Sequence, residues 1–233
     1  MSLMTVQGLK KRYLGGVNAL DGVDMNIDPG RIIGLLGPNG SGKTTLFKCL
    51  AGLLQPDGGE IIYPGGAKRG VESKKTVSLL PDVLRLPSWM RVRDAMEYWR
   101  DIFPDYLHGR CRDMMSMLDL EPDMKIRSLS KGMQERVALM LTFSRETSVY
   151  LLDEPLGGID PVGKSKLLES ILAVDLSNSA ILISTHLVKD VETVFDSFYL
   201  LNRGKIVYYG DCENIREESG KTAEQVYLEV FSR

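Results

Sequence analysis

Apolar and polar positions change rhythm several times along this chain of 233 residues. Ile32-Ile33-Gly34-Leu35-Leu36 is a short, wholly apolar run that ends in a glycine-rich stretch, and residues 149–152 and 180–184 are two more such runs. Runs of this length without a polar face predict strands of a sheet covered on both sides. Ahead of them, residues 3–27 read as extended segments broken at Gly15-Gly16 and at Asp21-Gly22. Residues 60–63 and 76–80 add strand on either side of a glycine-rich turn. Near the end, Phe198-Tyr199-Leu200-Leu201 and Lys205-Ile206-Val207-Tyr208-Tyr209 flank Asn202-Arg203-Gly204, which predicts a hairpin. Residues 214–219 and 223–231 read as short closing helices.

In the middle the period lengthens. Val92, Ala95, Met96 and Trp99 fall at i, i+3, i+4 and i+7, and Cys111, Met114, Met115 and Leu118 repeat that spacing. Both are amphipathic helix patterns. Strands alternating with helices predict an α/β fold, with a helical segment over about 84–128 inserted into it. Most of the methionines lie between Met90 and Met140. They fit filler for short helices, and they also fit an adaptable surface for a partner.

Composition narrows the class. The hydrophobic fraction is 43% and the charged fraction 26%, ordinary for a globular domain. With 29 basic against 31 acidic residues, the chain has no basic excess that would suit nucleic acid. No apolar run approaches the roughly 18 residues that span a bilayer, and residues 1–16 lack the apolar core of a secretory signal. Cys49, Cys111 and Cys212 are odd in number and widely spaced, which fits reduced thiols rather than a disulfide framework or a zinc site.

Gly37-Pro38-Asn39-Gly40-Ser41-Gly42-Lys43-Thr44 fits G-x-x-x-x-G-K-[ST], between an apolar strand and the helical stretch 45–52 that opens with Thr45. Glycines let successive backbone N–H groups turn inward onto phosphate oxygens, and the helix N-terminus adds partial positive charge. Lys43 is placed to reach the outer phosphates and the Thr44 hydroxyl to ligate Mg2+. This motif implies a nucleoside triphosphate and no more. Val149-Tyr150-Leu151-Leu152-Asp153-Glu154-Pro155 is an apolar strand ending in two acids. Beside a phosphate loop, Asp153 suits the metal, and Glu154 suits the base that polarises an attacking water.

Ser130-Lys131-Gly132-Met133-Gln134 precedes a third helix pattern, with Ser130 as its N-cap. It is a second helix end suited to phosphate. One nucleotide does not need both ends, unless the second serves a different nucleotide.

With these motifs in this order, the chain resembles the ATP-binding cassette (ABC) ATPases over essentially its whole length. Ser130, Gly132 and Gln134 resemble the family signature, which in one subunit closes over the γ-phosphate bound to the other. Tyr13 matches the aromatic that stacks on adenine. Gly157-Gly158-Ile159-Asp160 resembles the loop that connects the two halves of the dimer, and His186 matches the histidine that contacts the γ-phosphate. The resemblance implies one ABC ATPase domain over 1–233, with a P-loop NTPase core, an antiparallel β subdomain and the inserted helical subdomain. It also implies ATP and Mg2+ as ligands. The expected partners are a second ABC ATPase subunit, as homodimer or heterodimer, and a transmembrane permease, with no nucleic acid. The expected place is the cytoplasmic face of the cell membrane, and the expected task is export of drugs or peptides. The alternative is a soluble, non-transport ABC ATPase. Neither a long coiled-coil insertion, nor a second nucleotide domain, nor an Asn-Lys-x-Asp guanine motif is present.

Two departures stand out. Lys131 and Met133 stand where the family usually has glycine. Pro81-Asp82 stands where the family has a glutamine, and Asp82 reads either as a Mg2+ ligand that tunes hydrolysis or as a turn residue after proline.

Overall fold

The computed structural model describes residues 2–67 and 69–232; Met1, at the head of the stretch read for a secretory signal, lies outside them. The chain opens with β1 (Met4–Arg12) and β2 (Asn18–Ile27), joined by the Tyr13 to Val17 turn. Asp21-Gly22 does not break β2. Leu9 pairs with Val23 and Lys10 with Asp21, so Gly22, at φ +81°, is the extra residue of a bulge.

The walk continues through β3 (Ile32–Leu36), α1 (Lys43–Leu50), β4 (Gly58–Ile62), α2 (Val71–Thr76), β5 (Val77–Leu80), α3 (Val92–Ile102) and α4 (His108–Met117). Then come α5 (Lys131–Phe143), β6 (Val149–Asp153), α6 (Pro161–Leu172), β7 (Ala180–Thr185) and α7 (Val188–Val191). The chain closes with β8 (Ser197–Asn202), β9 (Lys205–Asp211), α8 (Cys212–Ser219) and α9 (Ala223–Phe231). Strand order is β2-β1-β4 in an antiparallel sheet and β5-β6-β7-β3-β8-β9 in a second sheet, parallel except for β9.

The parallel strands are buried on both faces, as their unbroken apolar runs require. The period of two divides each strand between two cores. Ile33, Leu35, Val149, Leu151 and Leu182 face one side, where α1 contributes Leu46, Phe47 and Leu50 and the antiparallel sheet contributes Val6, Leu9, Val23 and Ile27. Leu36, Tyr150, Leu152 and Ile183 face the other, against Val137, Leu141, Leu167 and Val188 of the covering helices. Helix α1, which carries the end of the phosphate loop, is therefore clamped between two sheets.

The helical segment is shorter than the sequence predicts at its front. Residues 84–91 are irregular, and the first helix begins at Val92. Met90, Met96, Met114 and Met140 are core and Met115, Met124 and Met133 pack against it, so filling explains most of the methionines; Met117 is exposed. Arg145 ties this segment to the parallel sheet. Its buried guanidinium pairs with Asp105 at 2.7 Å, donates to the carbonyls of Val77 and Lys74, and lies 4.2 Å over the Phe103 ring. The expected strand over 76–80 starts one residue later, because Thr76 closes α2, a helix that the sequence reading lacks.

Candidate functional site

Sheet order assembles the site. β3 lies between β7 and β8, and β6 lies on the far side of β7. Leu36 pairs with Thr185, and Asp153 with Ser184. The loop after β3, the two acids at the end of β6 and the residue after β7 therefore emerge side by side at the carboxyl ends of the strands, where open α/β sheets bind ligands.

The phosphate loop is tight. A Cβ on Gly37 would lie 2.3 Å from the Leu201 carbonyl oxygen, and one on Gly42, at φ +114°, would lie 2.4 Å from that of Ala19. The turn of the β8–β9 hairpin braces the loop from behind, where the Gly204 N–H donates to the Ser41 carbonyl at 2.9 Å. Arg203 and Gly204 both have positive φ there, as a tight hairpin turn demands. Lys43 is buried, and its ammonium donates to the carbonyls of Gly37 at 2.7 Å and Pro38 at 3.3 Å. Ser41 Oγ is buried and has no hydrogen-bond partner. A cradle that admits no side chain, a buried cation and an orphaned hydroxyl fit a phosphate chain.

Asp153 is 2% exposed. Burial pushes its carboxyl up from the usual range, while the Ser184 and Thr44 hydroxyls pull it back down and the charges of Glu154 and Asp82 raise it further. A buried acid beside a threonine hydroxyl at the mouth of the loop fits Mg2+, which takes one or two carboxylates and keeps waters and phosphate oxygens for the rest. Among the described residues no group of three or more His, Cys, Asp and Glu is arranged to hold a metal by itself.

Glu154 has φ +52°, a left-handed backbone that turns its side chain away from the strand line. The carboxylate meets Lys43 Nζ at 3.4 Å and both of its oxygens lie 3.0 Å from His186 Nδ1. The Glu154 N–H donates to the Ser184 carbonyl at 3.0 Å. Tyr13, half exposed at the mouth, places its hydroxyl 3.3 Å from Thr45 Oγ1. Asn39 and Gly40 form the exposed lip of the loop.

Other predicted residues lie apart. Ser130 caps α5, accepting from the Met133 N–H at 3.2 Å, and Gln134 turns its amide back onto the Leu129 carbonyl at 3.1 Å. Among the described residues no hydrogen bond joins Ser130, Gly132 or Gln134 to the phosphate loop. Asp160 caps α6 through the Gly163 N–H at 3.0 Å. Asp82 is exposed and lines a small cavity of about 80 Å3 with Lys131, Gln134 and Glu135. Sequence reasoning missed Ser184, whose hydroxyl donates to Asp153 Oδ1 and accepts from the Glu154 N–H at 3.3 Å, so that it positions both acids.

The family described as ABC transporter matches residues 20–157. The uncharacterized ABC transporter ATP-binding protein YhaQ of Bacillus subtilis is 31% identical over 227 residues, covering 94% of this chain and 74% of the relative. The chain belongs to the ABC transporter family. The daunorubicin resistance ATP-binding protein DrrA3 of Streptomyces coeruleorubidus is 29% identical, over 93% of this ABC chain and 71% of its own length. A solved ATP-binding subunit of an ABC transporter superposes with a TM-score of 0.86 at 26% identity, over 98% of this chain and 99% of that one. As an ABC ATPase the protein has the expected fold class, with both sheets and the helical segment in place, and the expected activity, ATP hydrolysis. Among the described residues no helix is long and apolar enough to cross a membrane.

Proposed function

We propose that this chain is the ATP-hydrolysing subunit of an exporter and works as a pair of subunits with two ATP molecules held between them. One observation carries this reading. Lys43, Thr44, Asp153, Glu154 and His186 converge on one phosphate loop, while among the described residues no hydrogen bond joins the helix end at Ser130 to it. A second copy placed head to tail would bring its Ser130, Gly132 and Gln134 against the outer phosphate. Asp160 and the loop before it would lie between the two sites, and Tyr13 would carry the adenine.

When bound, Mg2+ would offset charge on the outer phosphates, held by Thr44 and Asp153, with Asp82 able to add a carboxylate from the edge. Lys43 exchanges its carbonyl acceptors for phosphate oxygens. Glu154, oriented by His186, takes the proton of the attacking water. The helical segment beside Asp82 supplies a face for a transmembrane permease, which holds the subunit at the cytoplasmic face of the membrane. The likeness to a daunorubicin resistance protein supports a drug-like cargo.

Glu154→Gln keeps the shape and removes the base. It should bind ATP, sediment as a dimer with ATP, and turn over roughly 100- to 10,000-fold more slowly. Hydrolysis at the natural rate would sink the assignment of the base, and an ATP-loaded variant that stays monomeric would sink the paired arrangement. Co-purification with a membrane protein, followed by ATP-driven efflux from vesicles, tests the exporter.

A further inference from the structure

Lys131 stands in the first turn of α5, directly after Ser130. A cation is unfavourable there, because the helix dipole puts partial positive charge at the same end. The structure gives the ammonium two acceptors. It donates to the Gly157 carbonyl at 2.9 Å and lies 3.9 Å from Glu135 Oε1 on the same helix. Its stem passes so close to Gly158 that a Cβ there would lie 2.9 Å from Nζ and 3.7 Å from Cδ and Cε. Next to it, a Cβ on Gly132 would touch Ile159 Cγ2 at 3.6 Å, and Ile159 itself is buried.

The helix end is thus fastened to residues 157–159, the stretch that begins three residues after Glu154. Lys131 is 66% exposed in its side chain. A single exposed bond of this kind contributes little to folding, and its loss shifts an opening equilibrium by roughly fivefold or less. Its consequence lies in geometry. It fixes the distance between the helix end and the loop that leads from the catalytic acids.

We infer that Lys131 is a positioning residue that couples the helix end at Ser130 to the hydrolytic centre of its own chain. The coupling rests on the paired reading above, in which Ser130 meets the ATP held by the partner. Movement of the helix end on that ATP then passes through the Lys131 to Gly157 bond into the loop behind Glu154. One site of the pair thereby senses the state of the other.

Hydrogen exchange of the nucleotide-free subunit tests the fastening without any need for ATP or a dimer. In Lys131→Met the amides of residues 156–160 should exchange roughly 2- to 5-fold faster than in the natural chain, and Lys131→Arg, which keeps a donor, should restore most of the protection. With ATP, Lys131→Met should lower kcat by a similar factor at unchanged KM, and its rate should depend on ATP without cooperativity. Unchanged exchange in Lys131→Met overturns the inference, whatever Glu154→Gln shows about the paired reading. Faster exchange with kcat and cooperativity as in the natural chain also overturns it, because the bond then holds the loop but transmits nothing.

Discussion

Lys43 and Glu154 face one another across the phosphate loop, ammonium to carboxylate at 3.4 Å, with the lysine buried and the glutamate mostly so. The cation is satisfied by Glu154 and by the Gly37 and Pro38 carbonyls. Phosphate oxygens would offer the same cation charge-assisted acceptors of the kind Glu154 already supplies. In the proposed function, phosphate oxygens would take the place of these acceptors around Lys43.

Lys43→Met removes that charge while keeping the length of the stem. Nucleotide affinity should fall roughly 10- to 100-fold. Titration calorimetry with ATP reads this directly, and an affinity equal to that of the natural chain would remove Lys43 from the site.

His186→Ala leaves the phosphate loop and Asp153 intact but frees the Glu154 carboxylate to swing. Because a misplaced reacting group costs on the order of 100-fold in rate, kcat should fall by about that factor while the affinity for ATP changes little. A kcat within twofold of natural would mean that His186 does not hold Glu154 in its working position.

Burial pushes the Glu135 carboxyl up to about 7, with Lys131 lowering it and Asp82 raising it. The sign follows from linkage. The folded state holds this proton more tightly than the unfolded chain, so the stability it contributes is complete below about pH 4.5 and is lost as pH rises through about 7. Glu135→Gln, which cannot ionise, should match the natural chain at about pH 4 and be more stable at pH 8, by on the order of 1–3 kcal/mol. Urea unfolding at the two pH values is the measurement; equal differences at both would show that Glu135 does not titrate in this window.

Arg145→Met should cost about 3 kcal/mol, because Asp105 and two backbone carbonyls lose a buried, charged partner. Lys221→Met, at the exposed Lys221–Glu229 pair, serves as the control and should stay within about 0.5 kcal/mol. Equal effects in denaturant unfolding would contradict the role of Arg145 as the tie between the helical segment and the sheet.

The residues show why some of this was legible in the sequence and some was not. Ile32–Leu36, residues 149–152 and residues 180–184 announce a covered parallel sheet because a strand buried on both faces leaves an unbroken apolar run. The phosphate loop is legible because its glycines answer to steric limits that are local in sequence. Helix α2 is not legible. Val71 to Thr76 is short, polar and without apolar periodicity, so only its neighbours make it helical. Asp21-Gly22 looks like a chain break, yet a glycine inside a strand also suits a bulge, and the pairing with β1 decides between them. Ser184 and Arg145 escape for another reason. Each acts on residues far away in sequence, Asp153 for one and Asp105 with Val77 for the other, and no spacing rule links them.

The left-handed backbone at Glu154, φ +52°, sets chemistry against sturdiness at one position. A glutamate pays roughly 1 kcal/mol to stay in that conformation, a cost glycine escapes. Of two uncharged replacements, Glu154→Gly should therefore melt at a higher temperature than Glu154→Gln, a difference that thermal unfolding of the two variants reads directly. Under the proposed base role, the chain therefore keeps its carboxylate at residue 154 at some expense in stability.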